Sequence, residues 1–116
     1  MKRSLLLSAL VVCFCCSKPV PELDYFDSDD WKNDPKGCNN TRSEYITSLE
    51  QQRDKLKGLS EGDLVTVLGR PDRTDLSEHH EKFYYYFISC PKADSIGMAL
   101  IVRFNATGVS KEVVIQ

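Results

Sequence analysis

Apolar positions along this chain change period once, and that change divides it into a helical half and a stranded half. Tyr45, Ile46, Leu49 and Leu56 recur at helical spacing and predict a helix over residues 42–57. Thr41 and Glu44 have the spacing of a capping box at its start, and Gly58 supplies the stop. Leu64, Val67 and Leu68 predict a second helix over Glu61–Leu68. Ser60 is its N-cap, Asp63 adds a carboxylate to the first turn, and Gly69 with Pro71 ends it. Gly62 costs about 1 kcal/mol relative to Ala inside that helix, so the helix depends on tertiary packing. Residues 72–81 read as a polar loop.

After the loop the period is two. Lys82–Cys90 reads as a strand, with Phe83, Tyr85 and Phe87 on one side and Tyr84, Tyr86 and Ile88 on the other. Residues 91–95 turn the chain. Met98–Phe104 is a second strand, Asn105-Ala106-Thr107-Gly108 a hairpin turn, and Val109–Ile115 a third strand. The order is ααβββ. It predicts an α+β fold of two layers, with two N-terminal helices packed on a three-stranded antiparallel meander. One sheet face must then cover the helices. The other would present Tyr84, Tyr86 and Ile88, a tyrosine-rich patch suited to binding a protein, unless the N-terminal segment folds across it.

The N-terminus has a different pattern. Lys2 and Arg3 precede an apolar run from Leu5 to Cys15, about half the ~20 residues a membrane-spanning helix needs. A basic start, a short apolar middle and small residues at the end form a secretory signal. Its close, with Cys13, Cys15 and Cys16, resembles a bacterial lipoprotein signal, in which one cysteine is acylated and becomes the first mature residue. Cys16 fits best, since small Cys15 precedes it and polar Ser17-Lys18-Pro19 follows. Cys13 follows bulky Val12, and Cys15 follows Phe14. The alternative is an ordinary signal peptide cut nearby. The domain plan is therefore a signal at 1–15, a lipidated Cys16 with an acidic tether to residue 37, and a folded domain at 38–116.

Charge and cysteine content refine this plan. The 116 residues carry 15 basic and 17 acidic side chains, and loss of Lys2 and Arg3 leaves 13 against 17. No basic stripe exists to neutralise nucleic acid, and no polybasic patch to hold a membrane, so attachment would rest on acyl chains, palmitate among them. Glu22, Asp24, Asp27, Asp29 and Asp30 occur with no basic residue among them, which predicts an extended tether that spaces the domain from the bilayer. Tyr25, Phe26 and Trp31 would dock on the domain or on a partner. Outside the cytoplasm, Cys38 and Cys90 are expected to pair, the alternative being two buried thiols.

The inventory of reactive groups argues against an enzyme. His79 and His80 are neighbours in a polar loop and lack metal-ligand spacing. Ser89 and Cys90 sit in no nucleophile elbow, and Asp29/Asp30 lie in the tether. No catalytic residue, metal, cofactor or small-molecule substrate is expected.

Leu56-Lys57-Gly58-Leu59-Ser60, followed by Leu64, Leu68, Gly69 and Pro71, resembles the helix-turn-helix signature of SmpA/OmlA-type domains. The aromatic strand at 82–87 and Leu100–Asn105 with Gly108 resemble the second half of that pattern, so the likeness covers roughly residues 54 to 116. The family's best-known member is the smallest lipoprotein of the outer-membrane β-barrel assembly machinery. The same ααβββ unit resembles the repeat of β-lactamase inhibitory proteins. The resemblance implies a non-catalytic module on the periplasmic side of the bacterial outer membrane, bound to envelope or outer-membrane proteins. A secreted or periplasmic inhibitor-like binder is the alternative. The extra helix before the signature, the acidic segment and the Cys38/Cys90 pair depart from the family pattern.

Overall fold

The second half of the chain forms one antiparallel sheet of four strands in chain order: β1 Arg73–Leu76, β2 Lys82–Phe87, β3 Ala99–Phe104 and β4 Ser110–Ile115. The computed structural model describes residues 19–95 and 97–116. Helices α1 (Ser28–Lys32), α2 (Ile46–Gln52) and α3 (Glu61–Leu68) complete an α+β fold. The sheet has one strand more than the pattern predicts. Strand β1 lies in the stretch read as a loop and is a short edge strand with mostly exposed side chains. Its polar residues give no alternating signal, and its order comes from pairing Arg73–Leu76 with Tyr85–Lys82.

Local signals place α3 as predicted. Ser60 is extended and its Oγ accepts the Asp63 N–H at 3.1 Å, while Gly69 closes the helix at φ +80°. The helix expected over 42–57 is instead three pieces: a 3-10 turn at Arg42–Tyr45, then α2, then a 3-10 turn at Arg53–Leu56. The Thr41/Glu44 capping box does not form. Thr41 has helical backbone angles and its side chain caps nothing. The first-turn N–H of Arg42 finds its acceptor on Asp34, eight residues earlier.

Strand pairing decides which way the tyrosines point. Tyr84 stands opposite Val102, which stands opposite Val113, and Tyr86 stands opposite Leu100. These residues share the face beneath the helices. Tyr84, Tyr86 and Ile88 are therefore core residues, at 9 %, 0 % and 1 % exposure, and not the open face expected of them. The tyrosine hydroxyls escape the apolar interior by hydrogen bonding at its rim: Tyr86 donates to the Gly69 carbonyl and Tyr84 to Glu61.

The acidic segment is likewise not an extended spacer. Asp27 caps α1 through the Asp30 N–H, and α1 carries Trp31 into the core with no exposed surface. Leu23 and Phe26 pack against the same core. Burying these apolar groups outweighs the mutual repulsion of solvated carboxylates, each screened by water. Trp31 joins Leu49, Leu56, Leu59, Leu64, Leu68, Tyr86, Leu100, Val102 and Phe104 in a single core. The expected signal, its cleavage point and Cys16 lie outside the described residues.

Two junctions close the layers. Cys38 and Cys90 form a disulfide across a separation of 52 residues. Beside it, Gly37 has φ +66° and lies so close to β2 that an added Cβ would come within 2.3 Å of the Ile88 carbonyl oxygen. At the other junction, Ser110 begins β4 next to a register shift at Arg103/Phe104 and is buried. Its Oγ accepts the Leu59 N–H at 2.9 Å and donates to the Leu56 carbonyl at 2.7 Å. Its backbone also pairs with Gly58 and Leu59, which fastens the entry to α3 onto the sheet.

Candidate protein-binding face

The sheet face turned away from the helices is built from alternate residues of all four strands. One row across it is Arg73, Tyr85, Ile101 and Val114; the next is Asp75, Phe83, Arg103 and Glu112. Tyr85, Phe83, Ile101 and Val114 are each partly exposed. Phe87 and Ala99 continue the apolar surface but are buried. The result is an aromatic and aliphatic stripe on a regular sheet, which orders these side chains before any partner arrives.

Charged groups frame the stripe in closed pairs. Arg73 stacks over the Tyr85 ring at 5.0 Å and donates twice to Asp75, at 3.0 and 2.9 Å. Arg103 bridges Glu81 at 2.8 Å and Glu112 at 3.8 Å. Two cations against three carboxylates leave a nearly neutral surface, so affinity here would come from apolar contact and not from steering charge. The sequence pattern assigned the opposite set of β2 residues to this face. The signal that finds the right set is β3, where Leu100, Val102 and Phe104 are the inward residues and pairing drags Tyr84 and Tyr86 with them.

Beneath the helices lie the polar residues that the sequence reading missed. Glu61 sits at the start of α3, where its Oε1 accepts from Lys82 Nζ at 2.8 Å and Tyr84 at 2.6 Å. The Lys82 bond above all, and then the Tyr84 bond, hold the Glu61 carboxyl below its ordinary value. Burial, then the Glu61 bond, pushes the Tyr84 phenol up to about 12. Burial pushes Tyr86 up further. The Tyr45 hydroxyl donates to Asp30, and chiefly through that bond its phenol is raised to about 12.

A second group centres on Arg42, buried at 2 % exposure. Its Nε donates to the Trp31 carbonyl at 3.0 Å, and its Nη1 to Asp72 at 2.7 Å and to the Phe87 carbonyl at 3.1 Å. One signal could have found it: Arg42, Tyr45, Ile46 and Leu49 share one i, i+3, i+4, i+7 stripe, so a cation stands on an apolar face. His79 and His80 lie in an exposed turn between β1 and β2. Among the described residues, no three His, Cys, Asp or Glu side chains converge in a way that could hold a metal. No described helix is long and apolar enough to cross a membrane.

No family model, curated protein or solved structure matches this chain.

Proposed function

We propose that this chain is a lipid-anchored envelope module, held to the periplasmic side of the outer membrane by acylated Cys16, that binds an outer-membrane or envelope protein without catalysis. The observation that carries the reading is the partly exposed row Tyr85–Ile101–Val114 with Phe83 beside it, apolar residues preset on a sheet and framed by paired charges. The signal-like N-terminus, the Cys38–Cys90 disulfide and the SmpA/OmlA-like pattern of residues 54–116 support it. The partner would present a complementary apolar surface, because the rim of this face is already ion-paired.

The docked N-terminal segment alters the anchored geometry. Val20, Pro21 and Leu23 share a concavity with Thr66 and Val67 of α3. Only three peptide steps separate Cys16 from Pro19, a reach of about 11 Å at most. An acylated Cys16 would therefore hold the domain against the headgroups, not at a distance from them.

Two measurements test the reading separately. Mass spectrometry of the mature chain should show acyl mass on Cys16, abolished by Cys16→Ser; an unmodified soluble chain would favour the secreted binder instead. A photo-crosslinking residue at Ile101 should capture an envelope protein in the native membrane, whereas one at exposed Lys111 should not. Equal capture from both positions would remove the sheet face from the proposal.

A further inference from the structure

Beside the C-terminal end of α3 is a concavity of about 360 Å³ whose lining includes Lys32, Arg42, Gly69, Arg70 and Asp72. Three cations meet there in a chain whose overall charge is negative. Their partners are unequal. Lys32 Nζ donates to the Thr66 carbonyl at 2.7 Å and keeps two further donors. Arg70 is exposed and has no ion pair or side-chain hydrogen bond among the described residues. Arg42 is committed through Nε and Nη1, yet its Nη2 has no acceptor among the described residues and is not sealed from solvent. Arg42 lines the concavity, is nine-tenths buried and keeps an unused Nη2 donor, which together invite an acceptor.

Asp72 is not that acceptor, since its one bond from the guanidinium is from Nη1. Its oxygens already take the Lys36 N–H, the Phe87 N–H and Arg42 Nη1. Gly69 shapes the opposite wall. An added Cβ there would come within 2.9 Å of Lys32 Cγ, so the absence of a side chain lets the Lys32 stem lie across the helix end. The charges also choose among anions. Lys32, Arg42 and Arg70 against Asp72 leave a net of about +2, and Asp34, on the Arg42 backbone N–H, lowers it to about +1.

The geometry points to a carboxylate-binding site at Lys32, Arg42 and Arg70, taking a monoanionic carboxylate from a polypeptide. Arg42 Nη2 supplies the fixed donor, and Lys32 and Arg70 close over the ligand from the rim. The carboxylate can come from an Asp or Glu side chain or from a chain terminus. This site is separate from the sheet face and does not depend on acylation of Cys16.

Titration of the isotope-labelled full chain in non-ionic detergent, at constant chloride, tests it. The probes are N-acetylglutamate α-amide for a side-chain carboxylate, N-acetylalanine for a terminal one, and inorganic phosphate. The expected result is a saturable shift of the Arg42 Nε–H and of the Gly69 and Arg70 amides by at least one carboxylate. The tighter of the two carboxylates names the source. The double variant Lys32→Gln/Arg70→Gln should bind at least fivefold more weakly, and Lys111→Gln should bind as the parent does. Both variants change exposed side chains, and a retained Arg42 Nε–H signal reports an intact fold. Linear shifts, or equal binding by the double variant and the parent, would overturn the site; tighter binding of phosphate would overturn its assignment to carboxylates.

Discussion

Arg42 and Asp72 form an ion pair of 2.7 Å with side chains only 2 % and 7 % exposed. Thirty residues apart, they join the N-terminal half of the chain to the strand that the helical layer leads into. Each also serves backbone groups. Arg42 takes up the Trp31 and Phe87 carbonyls, and Asp72 takes up the Lys36 and Phe87 N–H groups. The pair is a junction where α1, the disulfide-bearing turn and β2 share one set of hydrogen bonds.

Asp72→Ala should therefore cost about 3–5 kcal/mol, the range for removing one partner of a buried pair. The loss exceeds that of the charge alone, because the Lys36 and Phe87 N–H groups lose their acceptor while the Arg42 guanidinium loses its counter-charge. Urea denaturation of the variant beside Asp75→Ala measures it. Asp75 pairs on the exposed sheet face, and its loss should fall within the ~0–1 kcal/mol of a surface bridge.

The pH dependence has two sides with different causes. Glu61 titrates below its ordinary value of 4.5, so its contribution is complete above that value and is lost as pH falls through the folded value. Tyr84 titrates above its ordinary value of 10.0, at about 12, so its contribution is complete below pH 10 and is lost as pH rises toward 12. Glu61→Gln should flatten the acid side. On the alkaline side it should leave most of the Tyr84 shift in place, because burial is the larger cause. Phenolate absorbance read against pH checks this, and a Tyr84 value returned to 10 would reverse the order of causes.

These sites differ in how far the sequence discloses them, and the reason is the range of the determining contact. Helix α3 is legible to the residue, because Ser60 and Gly69 act on their immediate neighbours. The Cys38–Cys90 disulfide follows from the number of thiols and the compartment implied by the N-terminus. Strand β1 is hidden, since only its pairing with β2 orders four mostly polar residues. The face of β2 is hidden within β2 itself. Both of its sides are aromatic, and only the register with Leu100 and Val102 tells Tyr84 from Tyr85. The acidic composition near residue 27 speaks for a spacer, while a single tryptophan, placed by α1, brings that segment into the fold.

The disulfide should stabilise the fold by about 4 kcal/mol, because the chain-entropy model charges the unfolded state for a closed loop of this length. Cys38→Ser/Cys90→Ser should lower the urea midpoint accordingly, and dithiothreitol should bring the parent chain to the same midpoint. If reduction leaves the midpoint unchanged, the tight contact of Gly37 with the Phe87–Ile88 backbone holds this junction by itself.

Trp31 gives the sharpest test of whether residues 23–37 belong to the folded unit. The ring is fully buried, lies 5.7 Å from Phe26 and 6.5 Å from Tyr86, and has the Arg42 guanidinium 4.8 Å above it. Trp31→Ala should cost about 3–5 kcal/mol, as large-to-small changes of aromatic core residues do. The indole Nε1 is buried without an acceptor among the described residues, a defect worth about 1–3 kcal/mol. Trp31→Phe removes that orphan donor while retaining most of the ring, so its cost should be less than half that of Trp31→Ala. Urea denaturation of both variants distinguishes a core anchor from a solvated spacer. Were Trp31→Ala to match the parent within about 0.5 kcal/mol, as a surface position would, the N-terminal segment would contribute nothing to the fold.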